Sequence, residues 1–182
     1  SAIIDIDKTF EIALSEKQLM KIRERYEDLW KKLSADSELD VTTSAAIRKM
    51  IFERTDAVTL LVVRKCEKES DDAYYSYRFA DALKTLRKAA KLCAGIDDSM
   101  ERSRSRDSVG AKYKMVLGTG RNYLENRVGS LIIQSEYFNV TGREKDSIGV
   151  LKKARNEITG SLRYFATAEI IGRYNSAAEI HN

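Results

Sequence analysis

No proline occurs anywhere in these 182 residues, and that absence constrains the fold more than any other feature. Proline in a helix interior costs roughly 3 kcal/mol, because its ring removes an N–H donor and collides with the preceding turn. Nothing in this chain imposes such a break, so helices extend until caps, glycines or polar clusters stop them. With 43% hydrophobic and 33% charged residues, the chain has enough apolar surface to fill a core and enough charge to coat it. A mean hydropathy of -0.43 excludes a bundle of membrane spans and argues against general disorder. The length suits one full-sized domain or two small ones.

The patterning predicts a mainly α chain with an extended start. From Ala2 to Leu14, Ile4, Ile6, Phe10, Ile12 and Leu14 alternate with mostly polar residues, the period-two signature of a strand with one buried face. Ser15-Glu16-Lys17-Gln18 has the form of a capping box. The helix it opens carries Leu19, Ile22, Tyr26, Leu29 or Trp30, and Leu33. Thr43 or Ser44 caps a second helix with Ile47, Met50, Ile51, Ala57 or Val58, and Leu61 on its apolar face, running to about Lys68. Asp71 and Asp72 open a third, with Tyr75, Phe79, Leu83, Leu86, Ala90 and Cys93, that ends at Gly95.

Residues 97–110 are rich in serine and contain the run Arg102-Ser103-Arg104-Ser105-Arg106 with almost no apolar content. They read as a mobile basic linker. Gly118-Thr119-Gly120 reads as a turn, followed by a helix from Arg121 to about Phe138 and another from Lys145 to about Ala178 with Gly142 between them. Gly149 and Gly160 fall on one face of the last helix, where a neighbour can approach closely. Four regions follow: 1–56, 57–96 as connecting helices, the linker 97–110, and a C-terminal helical domain 111–182.

The chemistry-bearing residues point to binding rather than catalysis. His181 is the sole histidine and lies beside the C-terminus, so no histidine-activated nucleophile and no His-containing zinc site is expected. Cys66 and Cys93 fall within helical patterns and suggest neither a disulfide framework nor a metal knuckle. No cofactor is implied, because Gly118-Thr119-Gly120 meets Tyr123 where a dinucleotide fingerprint needs a small residue, and it lacks the Lys-Ser/Thr ending of a phosphate loop. Membrane spans and a secretion signal are not expected, which gives a cytoplasmic address. The net charge of +4 is compatible with a polyanionic partner, and the segment Glu101–Arg127 concentrates the positive charge.

The order of strand, capped helix and second helix, with Ser44-Ala45-Ala46-Ile47-Arg48 at the second helix start, resembles the ribbon-helix-helix family over residues 8–56. The larger layout is similar to that of relaxosome accessory proteins of conjugative plasmids, in which such a reader is joined to a helical oligomerisation domain. The resemblance implies a homo-oligomer, at least a dimer, whose paired strands enter the major groove of double-stranded DNA. On that expectation Lys8, Thr9, Glu11 and Ala13 belong to the DNA-facing strand, and Thr43, Ser44, Arg48 and Lys49 meet phosphate at the second helix start. Arg102, Arg104 and Arg106 would add non-specific phosphate contacts. The expected function is therefore dimeric DNA binding in transcriptional regulation or in plasmid or phage DNA processing.

A second reading belongs to another class. The acidic N-terminal stretch and the cluster Tyr74, Tyr75, Tyr77 and Phe79 suit a non-enzymatic helical interaction or scaffold protein, for example a phage-encoded inhibitor, provided the aromatic side chains are exposed. If they are not, the cluster is ordinary core.

Overall fold

In the computed structural model, Ile3, Asp5, Ile6, Thr9 and residues 15–35 and 39–180 are described. Among them lie α1 (Glu16–Ser34), α2 (Val41–Tyr75), α3 (Phe79–Cys93), α4 (Ser99–Val140), α5 (Glu144–Thr159), a 3-10 turn (Arg163–Phe165) and α6 (Ala168–Glu179). No strand occurs among the described residues. The mainly α expectation holds, and no described helix is long and apolar enough to cross a membrane.

The ribbon does not receive the same support. Ile3, Asp5, Ile6 and Thr9 are helical, and the Thr9 hydroxyl donates to the Asp5 carbonyl at 2.9 Å, the i−4 bond a helix offers to threonine. The extended reading of Ala2–Leu14 is corrected at these positions. Ile3, Ile6 and Phe10 stand at i, i+3 and i+7 in the sequence, so the same short run also contains a helical period, and Ile6 is buried. Lys8, Glu11 and Ala13 lie outside the described residues.

Helix boundaries follow local chemistry. At α1 the predicted box forms: the Gln18 amide donates to Ser15 Oγ at 3.2 Å and the Ser15 amide to Gln18 Oε1 at 2.8 Å. At α2 the cap is Asp40 rather than Thr43 or Ser44, since the Thr43 amide donates to Asp40 Oδ1 at 2.9 Å and the Ser44 amide to the Asp40 carbonyl. The helix then runs through Lys68, Asp71 and Asp72 without a break. Two aspartates cost a helix only fractions of a kcal/mol each, far less than proline would.

Two compact units divide the chain: Ser1–Asp72 with Lys84–Lys112, and Ala73–Leu83 with Tyr113–Asn182. In the first, α1 buries Leu19, Ile22 and Tyr26, while α2 buries Ile51, Val58, Val62 and Cys66. Met50 and Leu61, expected inside, are exposed. Thr55 and Thr59 hold core positions in their place, each hydroxyl donating to its i−4 carbonyl at 2.9 and 2.8 Å, which hides the true stripe behind polar letters.

The expected mobile linker is the start of α4. Arginine is a good helix former and serine only mildly unfavourable, and the segment is tied to α2 by Ser108 Oγ donating to Glu67 at 2.7 Å and by Lys112 paired with Asp71 at 2.6 Å. Ahead of it, the buried Asp56 carboxylate accepts the Asp97 and Asp98 amides, both at 2.9 Å. Asp98 in turn accepts the Met100 and Glu101 amides at 2.8 and 2.9 Å and so caps α4.

In the second unit Gly142, at φ 74°, makes the turn expected of it between α4 and α5. Ser135 and Ser147 join these helices by a buried hydroxyl pair at 2.7 Å. The single helix expected from Lys145 to Ala178 divides at Gly160, and the 3-10 turn beyond places Phe165 in the core. Gly149 has no neighbour where a β-carbon would stand, and one at Gly160 would meet only its own helix at Asn156, so the close approach expected of that pair does not occur. It occurs at Gly120, inside α4 rather than in the turn expected there.

Candidate protein-interaction surface

The end of α2 is built from Ala73-Tyr74-Tyr75-Ser76-Tyr77-Arg78. Here the Tyr77 amide donates to the Tyr74 carbonyl at 3.0 Å and the Arg78 amide to the Ala73 carbonyl at 2.8 Å, the paired bonds of a Schellman helix end. That geometry puts the residue after the helix in the left-handed region, and Tyr77 has φ 58°. Glycine adopts this conformation freely; a residue with a β-carbon gives up roughly 1–2 kcal/mol. Tyr77 is the sole non-glycine residue with positive φ among those described.

What the tyrosine gains is a stack of rings. Phe79 lies at the base, 1% exposed, with ring centroids 5.8 Å from Tyr74, 5.4 Å from Tyr123 and 6.0 Å from Phe165. Tyr77 leans on Phe79 at 6.1 Å and on Tyr123 at 5.7 Å. Tyr75 touches Tyr74 edge-on at 5.3 Å, and the Tyr74 hydroxyl reaches Thr119 Oγ1 at 3.3 Å. Exposure rises outward to 67% at Tyr77 and 78% at Tyr75. The aromatic run thus divides: Phe79 is core, while Tyr75 and Tyr77 present broad faces to solvent from a braced base, with the Arg78–Asp81 pair at 3.3 Å beside them.

The residues expected to meet DNA are distributed differently. Thr9 is helical, and its hydroxyl accepts from Arg25 Nη1 at 3.2 Å. Thr43 and Ser44 lie in the first turn of α2, where the Asp40 carboxylate already takes the Thr43 amide; hydrogen bonds from the Thr43 side chain and amide hold that carboxyl below its ordinary range. A phosphate there would have to displace a carboxylate. Arg48 stands over the rings of Trp30 and Phe52, 5.8 and 5.1 Å from their centroids, and Lys49 approaches Glu53 at 3.9 Å. Arg102 and Arg106 line one shallow polar depression on α4 with Ser99, Ser103 and Asp107, whereas Arg104 pairs with Glu101 at 3.2 Å.

No group of three or more metal-ligating side chains occurs among the described residues. Cys66 and Cys93 are free and buried, and burial pushes the Cys66 thiol up to about 11, the opposite of an activated nucleophile. Sequence reasoning missed the Asp40 and Asp56 caps and the left-handed Tyr77. The signal for the first is an acidic residue three positions before Thr43; Asp56 acts on amides about forty positions away, and at Tyr77 no glycine or asparagine marks the helix end. Comparison with protein families, curated proteins and solved structures found no match for this chain.

Proposed function

We propose that this chain is a non-enzymatic helical protein that acts by binding another protein, and that Tyr75 and Tyr77 are the centre of its contact surface. The observation that carries the reading is Tyr77 itself: an exposed aromatic residue kept in a backbone conformation where glycine is cheaper. Strain of this kind, retained against a cheaper alternative, collects at functional positions. Tyrosine gives large contact area with few rotatable bonds and keeps a polar tip for hydrogen bonding, which is why it concentrates in interface centres. The DNA expectation rested on a DNA-facing strand that includes Thr9, and Thr9 is helical.

The test compares complexes formed by the wild-type chain with those of Tyr75→Ser and Tyr77→Gly. Partners found with the wild type are reconstituted from purified components, and affinity is measured by calorimetry. A stoichiometric complex weakened about tenfold or more by either change is expected, with Tyr77→Gly still folded because it relieves the backbone. Unchanged affinity in both variants refutes the reading. So does salt-sensitive binding of duplex DNA that Arg102→Ala and Arg106→Ala abolish with no protein complex found, which returns the chain to nucleic-acid binding.

A further inference from the structure

We infer that the second unit carries a receptor groove for a helix of a partner protein, one with an apolar ridge flanked by basic residues. This deepens the protein-binding reading but uses a different surface from the tyrosines. The groove lies between α4 and α6 and has a volume of about 670 Å³. Its apolar walls include Ile133 of α4 and Ile180, the residue that follows α6, which are 65% and 61% exposed. The same face of α4 continues with Tyr137 and Val140, also exposed, so Ile133, Tyr137 and Val140 form an exposed i, i+4, i+7 ridge, with the Phe138 ring beside Tyr137 at 5.9 Å between centroids.

Glycines leave the channel open. A β-carbon at Gly172 would meet nothing within 4 Å, and one at Gly129 only the Arg173 guanidinium, at 3.3 Å. Helix axes approach to roughly 8–10 Å when the contact residues are this small. A neighbouring depression shares Ile133 and Arg173 and extends the channel back to Glu125. From Glu125 to Glu136 the channel spans roughly 17 Å of α4, the length of about 12 helical residues.

Charge selects the occupant. Glu125, Glu136 and Glu169 line the channel against Arg173 alone. Arg173 is spoken for by Glu125 at 3.6 Å, which leaves the Glu136 and Glu169 carboxylates for a visitor. In a chain of net charge +4, this is an acidic channel with a greasy lining. It fits lysine or arginine on both sides of an apolar stripe, the helix-in-groove mode of recognition.

The probe is a synthetic helical peptide of about 12 residues, with leucines at i, i+4, i+7 and i+11 and lysines flanking them. It is compared with a twin bearing glutamates in place of the lysines, by fluorescence anisotropy with the full chain. The lysine peptide is expected to bind about tenfold tighter than its twin and to weaken as salt rises. Gly172→Gln, which fills open space without touching the fold, should abolish binding; Ile133→Ser should do the same if that helix tolerates glutamine poorly. The double change Glu136→Lys with Glu169→Lys should transfer preference to the acidic twin. Equal affinity for both peptides, or undiminished binding by Gly172→Gln with its helicity intact, overturns the inference. Self-association that Gly172→Gln abolishes also overturns it, since the occupant is then a second copy. Tyr75→Ser should leave peptide binding unchanged, so this groove and the tyrosine surface fail independently.

Discussion

The ring of Phe165 occupies the place where a β-carbon at Gly120 would stand, at 2.6 Å from Cδ1 and 2.9 Å from Cζ. Phe165 is fully buried and packs on Phe79, so it cannot swing aside. Gly120→Ala should therefore destabilise the protein. Overpacking costs about 1–3 kcal/mol, offset by the roughly 1 kcal/mol that alanine gains over glycine in a helix. Gly118, two residues earlier on α4, has nothing within 4 Å of its β-carbon position, and Gly118→Ala should stabilise by up to about 1 kcal/mol. Chemical denaturation of the two variants checks the pair, and a gain at both positions would show that Phe165 yields.

The Asp56 carboxylate holds two consecutive amides, those of Asp97 and Asp98, at the entry to α4. Hydrogen bonds to a charged group contribute about 1.5–3 kcal/mol each, and because Asp97 and Asp98 are exposed, water can meet the released amides. Asp56→Ala should cost roughly 3 kcal/mol. Asp56→Asn should fall between, because an amide offers one acceptor where two are used. Denaturation midpoints give the order, and faster hydrogen exchange at the amides of Asp97 and Asp98 in both variants ties the loss to this loop.

The parts of the fold legible in the sequence are those set by neighbours. The Ser15–Gln18 box, the stripe Leu19, Ile22 and Tyr26, and the Gly142 turn each need only a few adjacent residues, and each forms where expected. The start of α4 was hidden because its helix is held by Glu67 and Asp71 of α2, about forty positions away, while its own letters are those of a loop. Threonine at 55 and 59 disguised the buried face of α2, since its hydroxyl satisfies itself on the backbone and needs no polar surroundings. At Ile3, Ile6 and Thr9 two periods fit one short run, and local pattern alone does not choose between them. Of the candidate surface, the aromatic composition was visible and its division was not: whether Phe79 or Tyr77 faces inward is settled by Tyr123 and Phe165.

Cys66 and Cys93 should be silent toward thiol reagents at pH 8 while the protein is folded. Both are fully buried, and burial raises both thiols, Cys66 to about 11, so neither access nor thiolate is present. The linked effect on stability has a definite sign. Below the ordinary thiol value of 9.0 folded and unfolded states both hold the Cys66 proton and pH has no effect through it. Above 9.0 the unfolded chain releases the proton first, so stability should decline until the folded thiol also ionises near 11. Reagent uptake that follows the denaturation curve, together with a smaller alkaline decline in Cys66→Ala, is the expected result; rapid labelling of the folded chain would disprove it.

At the other end of the pH scale, Asp40 makes the first turn of α2 an acid-sensitive joint. Hydrogen bonds from Thr43 to its side chain lower the carboxyl from 3.8. A depressed carboxyl contributes stability that is complete above 3.8 and is lost as pH falls through the lower folded value. The group is exposed, so the effect is local to the helix end rather than to the whole molecule. The Thr43 amide resonance should therefore titrate below pH 3.8 in the wild type. In Asp40→Asn, where an uncharged oxygen caps nearly as well, that titration should vanish while the turn persists. In Asp40→Ala the turn should fray at every pH. A Thr43 titration that survives in the asparagine variant would mean that another carboxylate governs this helix start.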